Sequence, residues 1–286
     1  MITINIDPIA FRIGPLAVHW YGLMYIVGII VGLLVAWPYA KSLGIKGEQL
    51  EKVVYWAVPA GLVGARLYYV LQQPLAQYVH SPGRIFAFWE GGMAFFGAIF
   101  AVAIVLIVAG WKMKFSVLKL MDAGAIFAVV GQFFGRIGNL INGDIIGYPT
   151  GLPWGIVYAN PNSFPASHTT AYQPAAIYEG IINIILFTFL WKVRHRFKPG
   201  VLFFLYVVLY SVSQIIVFFW RDNIVLFYGL KQAQLTSIAT IVAAFAVFWG
   251  VVWWQRRHPP AAEAPVFTGE TPAAVDDTAP EPPEEE

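Results

Sequence analysis

The sequence predicts an all-α, polytopic membrane protein of about seven transmembrane helices, with its N-terminus outside and its C-terminus in the cytoplasm. Three observations lead there. Of the 286 residues, 58% are hydrophobic and only 12% charged, too little charge to solvate the surface of a soluble globule of this size. Seven apolar runs approach the roughly 20 residues that a helix needs to cross a bilayer core. Lysine and arginine fall on one side of those runs far more often than on the other.

The runs are 20–40, 53–71, 85–109, 118–141, 174–191, 201–220 and 235–254. With the N-terminus outside, the inner connections hold Lys41, Lys46 and Lys52, then Lys112, Lys114 and Lys119, then Lys192, Arg194, Arg196 and Lys198, and finally Arg256 and Arg257. Those twelve cations stand against four outside, Arg12, Arg84, Arg221 and Lys231, and the bias sets the orientation. The first residues lack the basic, apolar and small-residue order of a cleavable signal peptide, so the first helix is expected to be retained. Residues 1–258 form the expected membrane domain. Residues 259–286 hold eight of the sixteen acids among prolines and alanines, a composition expected to give a disordered cytoplasmic tail.

Several classes of chemistry are excluded. The chain has no cysteine, so disulfides, thiolate metal sites and a cysteine nucleophile of its own are ruled out. A Gly-x-Ser-x-Gly elbow and a His-Glu-x-x-His helix are both missing, which disfavours membrane hydrolases. The seventh run has no lysine for a retinal Schiff base, leaving a photoreceptor or transporter supported by helix count alone. The longest connection, 142–173, falls outside and carries no Lys or Arg; it is the expected lid or substrate-binding loop.

Two arginines, Arg66 and Arg136, lie inside apolar runs. Counting at 1.5 Å per residue from Lys119 puts Arg136 about 26 Å up a core of about 30 Å. Arg66 lies about 21 Å above Lys52 by the same rise, and Arg221 ends the sixth run. All three are expected at the depth of the outer headgroups. An arginine there either snorkels or pairs with an acid, or it builds an anion site. The stretch Gly135-Arg136-Ile137-Gly138-Asn139-Leu140-Ile141-Asn142-Gly143-Asp144-Ile145-Ile146-Gly147 bears on that choice. Arg136, Asn139, Asn142 and Gly143 share a helix face. Small residues at Gly131, Gly135 and Gly138 explain close helix packing but not the arginine and amides, which suit a phosphate.

With these residues in view, the chain resembles the bacterial prolipoprotein diacylglyceryl transferases. Residues 135–147 match that family's signature at each defined position except Asp144, which stands for the usual glutamate. Also similar are 7–22, the Trp89-Glu90-Gly91-Gly92-Met93-Ala94-Phe95 stretch, 64–67, 174–179 and 210–221, in the same order over residues 1–257. The resemblance implies transfer of the diacylglyceryl group of phosphatidylglycerol to the lipobox cysteine thiol of a prolipoprotein, releasing glycerol phosphate, in the bacterial inner membrane. The partners it implies are phosphatidylglycerol, the prolipoprotein signal peptide and membrane lipid. No cofactor, metal or nucleic acid enters the reading.

Such a step needs a thiolate, a cationic clamp for the departing phosphate and a lateral opening to lipid. Arg136 is the best candidate for the clamp, with Asn139 and Asn142 the candidates for headgroup oxygens and Arg66 and Arg221 the further candidate phosphatidylglycerol-binding cations. Asp144 orients Arg136 or accepts a proton. Tyr21 and Tyr210 match functional family tyrosines, and an interfacial tyrosine belt is the other reading. Glu179 is either a partner for an arginine or an interfacial acid. The pattern departs at Phe96, where the family has a histidine; at Gln214, where it has a second arginine; at Phe218, where it has a glutamate; and at Gln173-Pro174, where it has His-Pro. His19 and His168 are the substitute bases to consider, although a free thiol is already a few per cent ionised at pH 7 and reaching the thiolate there costs about 2 kcal/mol. Beside the active transferase stands a second reading, a paralogue that binds phospholipid or lipoprotein without catalysis.

Overall fold

A computed structural model of the chain describes residues 1–257 apart from 15, 75, 80, 88–93 and 166. The Trp89–Met93 part of the third matching stretch and the acidic tail expected at 259–286 therefore lie outside the described residues. The chain divides into a unit over Met1–Ala246, which carries everything below, and a second over Val247–Glu286, described only through the last turns of the final helix.

The protein is mostly helical. Its helices are α1 (Trp20–Ser42), α2 (Gly47–Gln72), a single turn α3 (Ala76–Val79), α4 (Phe95–Met113), α5 (Val117–Asn142), α6 (Ala175–Val193), α7 (Val201–Val217) and α8 (Gln232–Arg257). Five of them, α1, α2, α5, α6 and α8, are long and apolar enough to span a membrane, while the apolar stretches of α4 and α7 are shorter. Large aliphatics such as Ile26, Ile30 and Leu34 project outward at 56%, 53% and 69% exposure, whereas Arg66, Asn139, Glu179 and Asn183 are buried. A soluble protein does the reverse, so the exposed stripe is a lipid-facing surface.

Two expectations are corrected. The run 85–109 is not one helix, because Pro82–Phe86 forms a 3-10 turn and α4 begins only at Phe95; Pro82 and Gly83 favour the turn over a continued helix. Nor is the protein all-α. Short β-branched and aromatic runs outside the helices pair as strands: β1 (Ile2–Ile4) runs parallel to β4 (Ile156–Tyr158), which pairs antiparallel with β5 (Ala171–Tyr172). Hairpins join β2 (Ile9–Ile13) to β3 (Leu16–His19) and β6 (Val225–Phe227) to β7 (Leu230–Lys231).

Helix α1 packs antiparallel on α5, with Gly28 against the Gly131 backbone and Gly138 against Tyr21. Helix α2 crosses α4 still more closely: a Cβ at Gly97 would come within 2.2 Å of the Gly64 carbonyl oxygen. Helices α6 and α7 lie on α5. The buried Asp122 carboxylate fixes the start of α7, accepting the backbone N–H of Gly200 at 2.7 Å and of Phe203 at 2.8 Å. A side chain of α5 thus satisfies α7's first free donors, and the two helices stay in register up to Arg136 and Tyr210.

Gly97→Val is expected to lower stability by about 1–3 kcal/mol, the usual cost of overpacking, while Gly124→Ala, whose Cβ meets nothing within 4 Å, is expected to be neutral. Thermal unfolding of the detergent-solubilised variants reads the difference.

Candidate functional site: an arginine–carboxylate cluster at the helix ends

Helix α5 ends where Gly143 takes a left-handed conformation at φ 76°, its N–H bonding back to the Asn139 carbonyl at 2.8 Å. Glycine serves there twice, because a Cβ would also sit 2.9 Å from Pro165 and 3.1 Å from the Tyr158 ring. The turn folds Asp144 back over the helix end, where the Asn139 Nδ2 donates to both carboxylate oxygens at 3.1 Å. Burial pushes the Asp144 carboxyl above the usual carboxylate range, and the Asn139 amide offsets only part of that.

Asn139 passes the connection on: its Oδ1 accepts from the Arg136 guanidinium at 2.9 Å. Arg136 then bonds to Glu179 of α6 at 2.6 Å and reaches the Tyr210 hydroxyl of α7 at 3.5 Å. The other Glu179 oxygen accepts from Arg221 at 3.2 Å. One carboxylate, 1% exposed, thus holds two guanidiniums whose side chains are 18% and 13% exposed. The carboxylate is sealed in, while the two cations keep a small exposed part. Glu179 alone faces two cations, with the Asp144 carboxylate joined to Arg136 through Asn139, and the five donors of each guanidinium exceed the acceptors around them; Nε of both arginines has no partner among the described residues.

Backbone pairing places Arg221. Gly147 and Arg221 form an antiparallel bridge, the Tyr148 N–H donates to the Trp220 carbonyl at 3.0 Å, and the Asp222 N–H to that of Ile146 at 3.3 Å. The connection expected as a lid is therefore tied by strands and bridges to both ends of the site. Burial pulls the Arg221 guanidinium below the usual arginine range, against the opposing pull of Glu179.

Of the residues singled out in the sequence, Arg136, Asn139, Asn142, Asp144, Tyr210 and Arg221 come together. The Tyr21 hydroxyl shares a 2.9 Å hydrogen bond with Tyr25 and lies within electrostatic range of Asp144 and Arg136. Arg66 is placed differently: its guanidinium bonds to the carbonyls of Ile85 at 2.9 Å and Arg84 at 2.5 Å, beside the Tyr69 ring, rather than to Glu179. Among the histidines, His168 bonds through Nδ1 to the Tyr158 carbonyl at 2.9 Å; a carbonyl only accepts, so Nδ1 is the donor. His19 is exposed at the end of β3.

What the sequence left open was the centre. Glu179, an arginine partner or an interfacial acid on sequence grounds, is the hub. Gln214, where the resemblance expects an arginine, donates to Glu179 at 3.3 Å. The Phe218 ring, at a glutamate position, lies 4.4 Å from the Arg221 guanidinium carbon, a cation–π contact in place of an ion pair. The signal for the hub was a lone acid at the end of an apolar run with arginines at matching depth.

Residues 8–250 match the prolipoprotein diacylglyceryl transferase family. The chain belongs to that family. Relatives include proteins from Nitratidesulfovibrio vulgaris strain Miyazaki F, 34% identical over 91% of this chain and 97% of its own length, and Gloeobacter violaceus, 34% identical over 90% and 96%. A third, from Legionella pneumophila, is 31% identical over 88% of this chain and 98% of its own. Each is named a phosphatidylglycerol–prolipoprotein diacylglyceryl transferase. Within the prolipoprotein diacylglyceryl transferase family, then, this member carries the Glu179 cluster where the ends of α5 and α6 meet the segment just beyond α7.

Replacing Glu179 by leucine removes the one carboxylate that both guanidiniums contact directly. A loss of about 3–5 kcal/mol, the usual result of breaking a buried ion pair from one side, is expected in thermal or denaturant unfolding, with Glu179→Gln milder.

Proposed function

We propose that this protein transfers the diacylglyceryl group of phosphatidylglycerol to the thiol of a prolipoprotein's lipobox cysteine, in the bacterial inner membrane with its N-terminus outside. The observation that carries the reading is the Glu179 cluster, two partly exposed arginines held on one sealed carboxylate, each with an unpartnered Nε among the described residues. A phosphodiester arriving at this end meets the guanidiniums rather than the carboxylate, and planar guanidiniums suit its oxygens.

In the proposed step the cysteine sulfur attacks the glyceryl carbon that bears the phosphate. The C–S bond forms, the C–O bond to phosphate breaks, and glycerol phosphate leaves with the electron pair. Arg136 and Arg221 stabilise the charge that grows on the departing phosphate, while Asn139 and Asn142 hold headgroup oxygens and Tyr210 steadies Arg136. The thiol's proton goes to the Asp144 carboxylate, a stronger base for being desolvated. Tyr21 completes the wall of the site. Arg66, on its own carbonyl pair, serves the approach of the lipid headgroup rather than the clamp.

The test uses the purified protein with labelled phosphatidylglycerol and a lipobox peptide. The expected product is a diacylglyceryl mass increase on the peptide's cysteine, lost in Arg136→Ala and formed faster in Phe96→His, which restores an imidazole where the family carries one. Absence of product from both the wild type and Phe96→His would reject the transferase in favour of a phospholipid-binding paralogue. The pH profile adds a second check. A rate that needs the Asp144 carboxylate falls as pH drops through its raised pKa, so the acid limb of kcat/KM is expected nearer neutrality than an ordinary aspartate would put it, and Asp144→Asn should abolish that limb.

A further inference from the structure

One buried cation takes no part in this scheme. Lys231, at the end of β7, is 4% exposed, and a buried ammonium persists only where its donors are well used. Its Nζ donates to the carbonyl of Phe218 at 2.6 Å and to that of Arg221, and lies 4.7 Å from the centre of the Tyr148 ring. Its backbone N–H is accepted by Gln234 Oε1 at 3.0 Å, and the Nε2 of that buried glutamine donates to the Ile215 carbonyl, also at 3.0 Å. Three carbonyls at or just beyond the end of α7 are thus held from the β7–α8 junction. A cation at a helix C-terminus also opposes the helix dipole there.

The residues Lys231 holds are those that aim the clamp. Arg221 points its guanidinium at Glu179, the Phe218 ring lies against that guanidinium, and Tyr148 belongs to the segment that follows Asp144 and pairs with Trp220. The ammonium therefore sits where the segment carrying Arg221 meets the one carrying Asp144. The ion pairs among the described residues leave it out, so its charge is not cancelled by a carboxylate.

We infer that Lys231 is the positioning residue of the phosphate site. It locks the backbone of Phe218–Arg221 so that one guanidinium meets Glu179 and the lipid phosphate together, and it adds a full positive charge beside a clamp that has Gln214 in place of a second family arginine. The inference rests on the phosphatidylglycerol reading above.

The experiment measures initial rates of the full-length protein and Lys231→Met, with phosphatidylglycerol and the lipobox peptide varied separately. The KM for phosphatidylglycerol is expected to rise roughly tenfold, as for a loosened charge-assisted contact, with the KM for peptide within about twofold. In an Arg221→Gln background the same change is expected to cost little more, since coupled sites are not additive. An unchanged KM for the lipid, or an equal rise for lipid and peptide, overturns the inference. Should Lys231→Met not fold, Lys231→Gln, which keeps donors but no charge, is judged by the same split. Phosphatidylglycerol retention by native mass spectrometry separates the two hypotheses. If the wild type transfers nothing, the transferase reading fails, yet weaker retention by the variant still supports Lys231 and equal retention rejects it.

Discussion

A carboxylate with almost no exposure, gripped by two guanidiniums, is the constraint on which the rest of the site depends. Glu179 lies on α6, Arg136 on α5 and Arg221 just beyond α7, so the ion pairs join three segments at one end of the bundle. Inside a low-dielectric bundle neither sign of charge is tolerable alone. Each partner therefore enforces the position of the other. A structural pair needs one cation, and Glu179 has two.

The elements around the cluster exist to hold its geometry. Glycines let α1 approach α5 and let α2 cross α4, since helices in lipid gain little from apolar contact and associate through close van der Waals packing instead. Asp122 caps α7 from α5, and the left-handed turn at Gly143 brings Asp144 onto Asn139. Hydrogen bonds then run from Asp144 through Asn139 and Arg136 to Glu179 and Arg221. Departures from the family pattern are absorbed by the same network. Gln214 still donates to Glu179, and Phe218 still meets Arg221 through its ring.

Much of this was legible in order along the chain. Composition and apolar runs indicated a polytopic membrane protein because lipid admits only long apolar helices with satisfied backbones. The depth count from Lys119 placed Arg136 near one end of its helix, and α5 is indeed unbroken from Val117 to Asn142. The same count grouped Arg66 with Arg136 and Arg221 by depth alone. Depth is one coordinate of three, and the direction of a side chain around its helix axis is not contained in it; Arg66 turns to the carbonyls of the 3-10 turn at Pro82–Phe86. The strands went unread because pieces of two to five residues carry no usable periodicity.

The sequence by itself determined the class of protein, the family pattern and the residue types available for a phosphate, because hydropathy, glycine spacing and the signature at 135–147 are local properties of the chain. Tertiary structure alone decided which of those residues share a charge. Glu179 and Arg221 are forty-two residues apart, and their meeting depends on the bridge between Gly147 and Arg221, the cap at Asp122 and the lysine beneath the end of α7. Electrostatic partnership falls off with distance in space and is indifferent to distance along the chain. Local pattern offered Glu179 as one of two readings, an arginine partner or an interfacial acid, and gave no sign of Lys231.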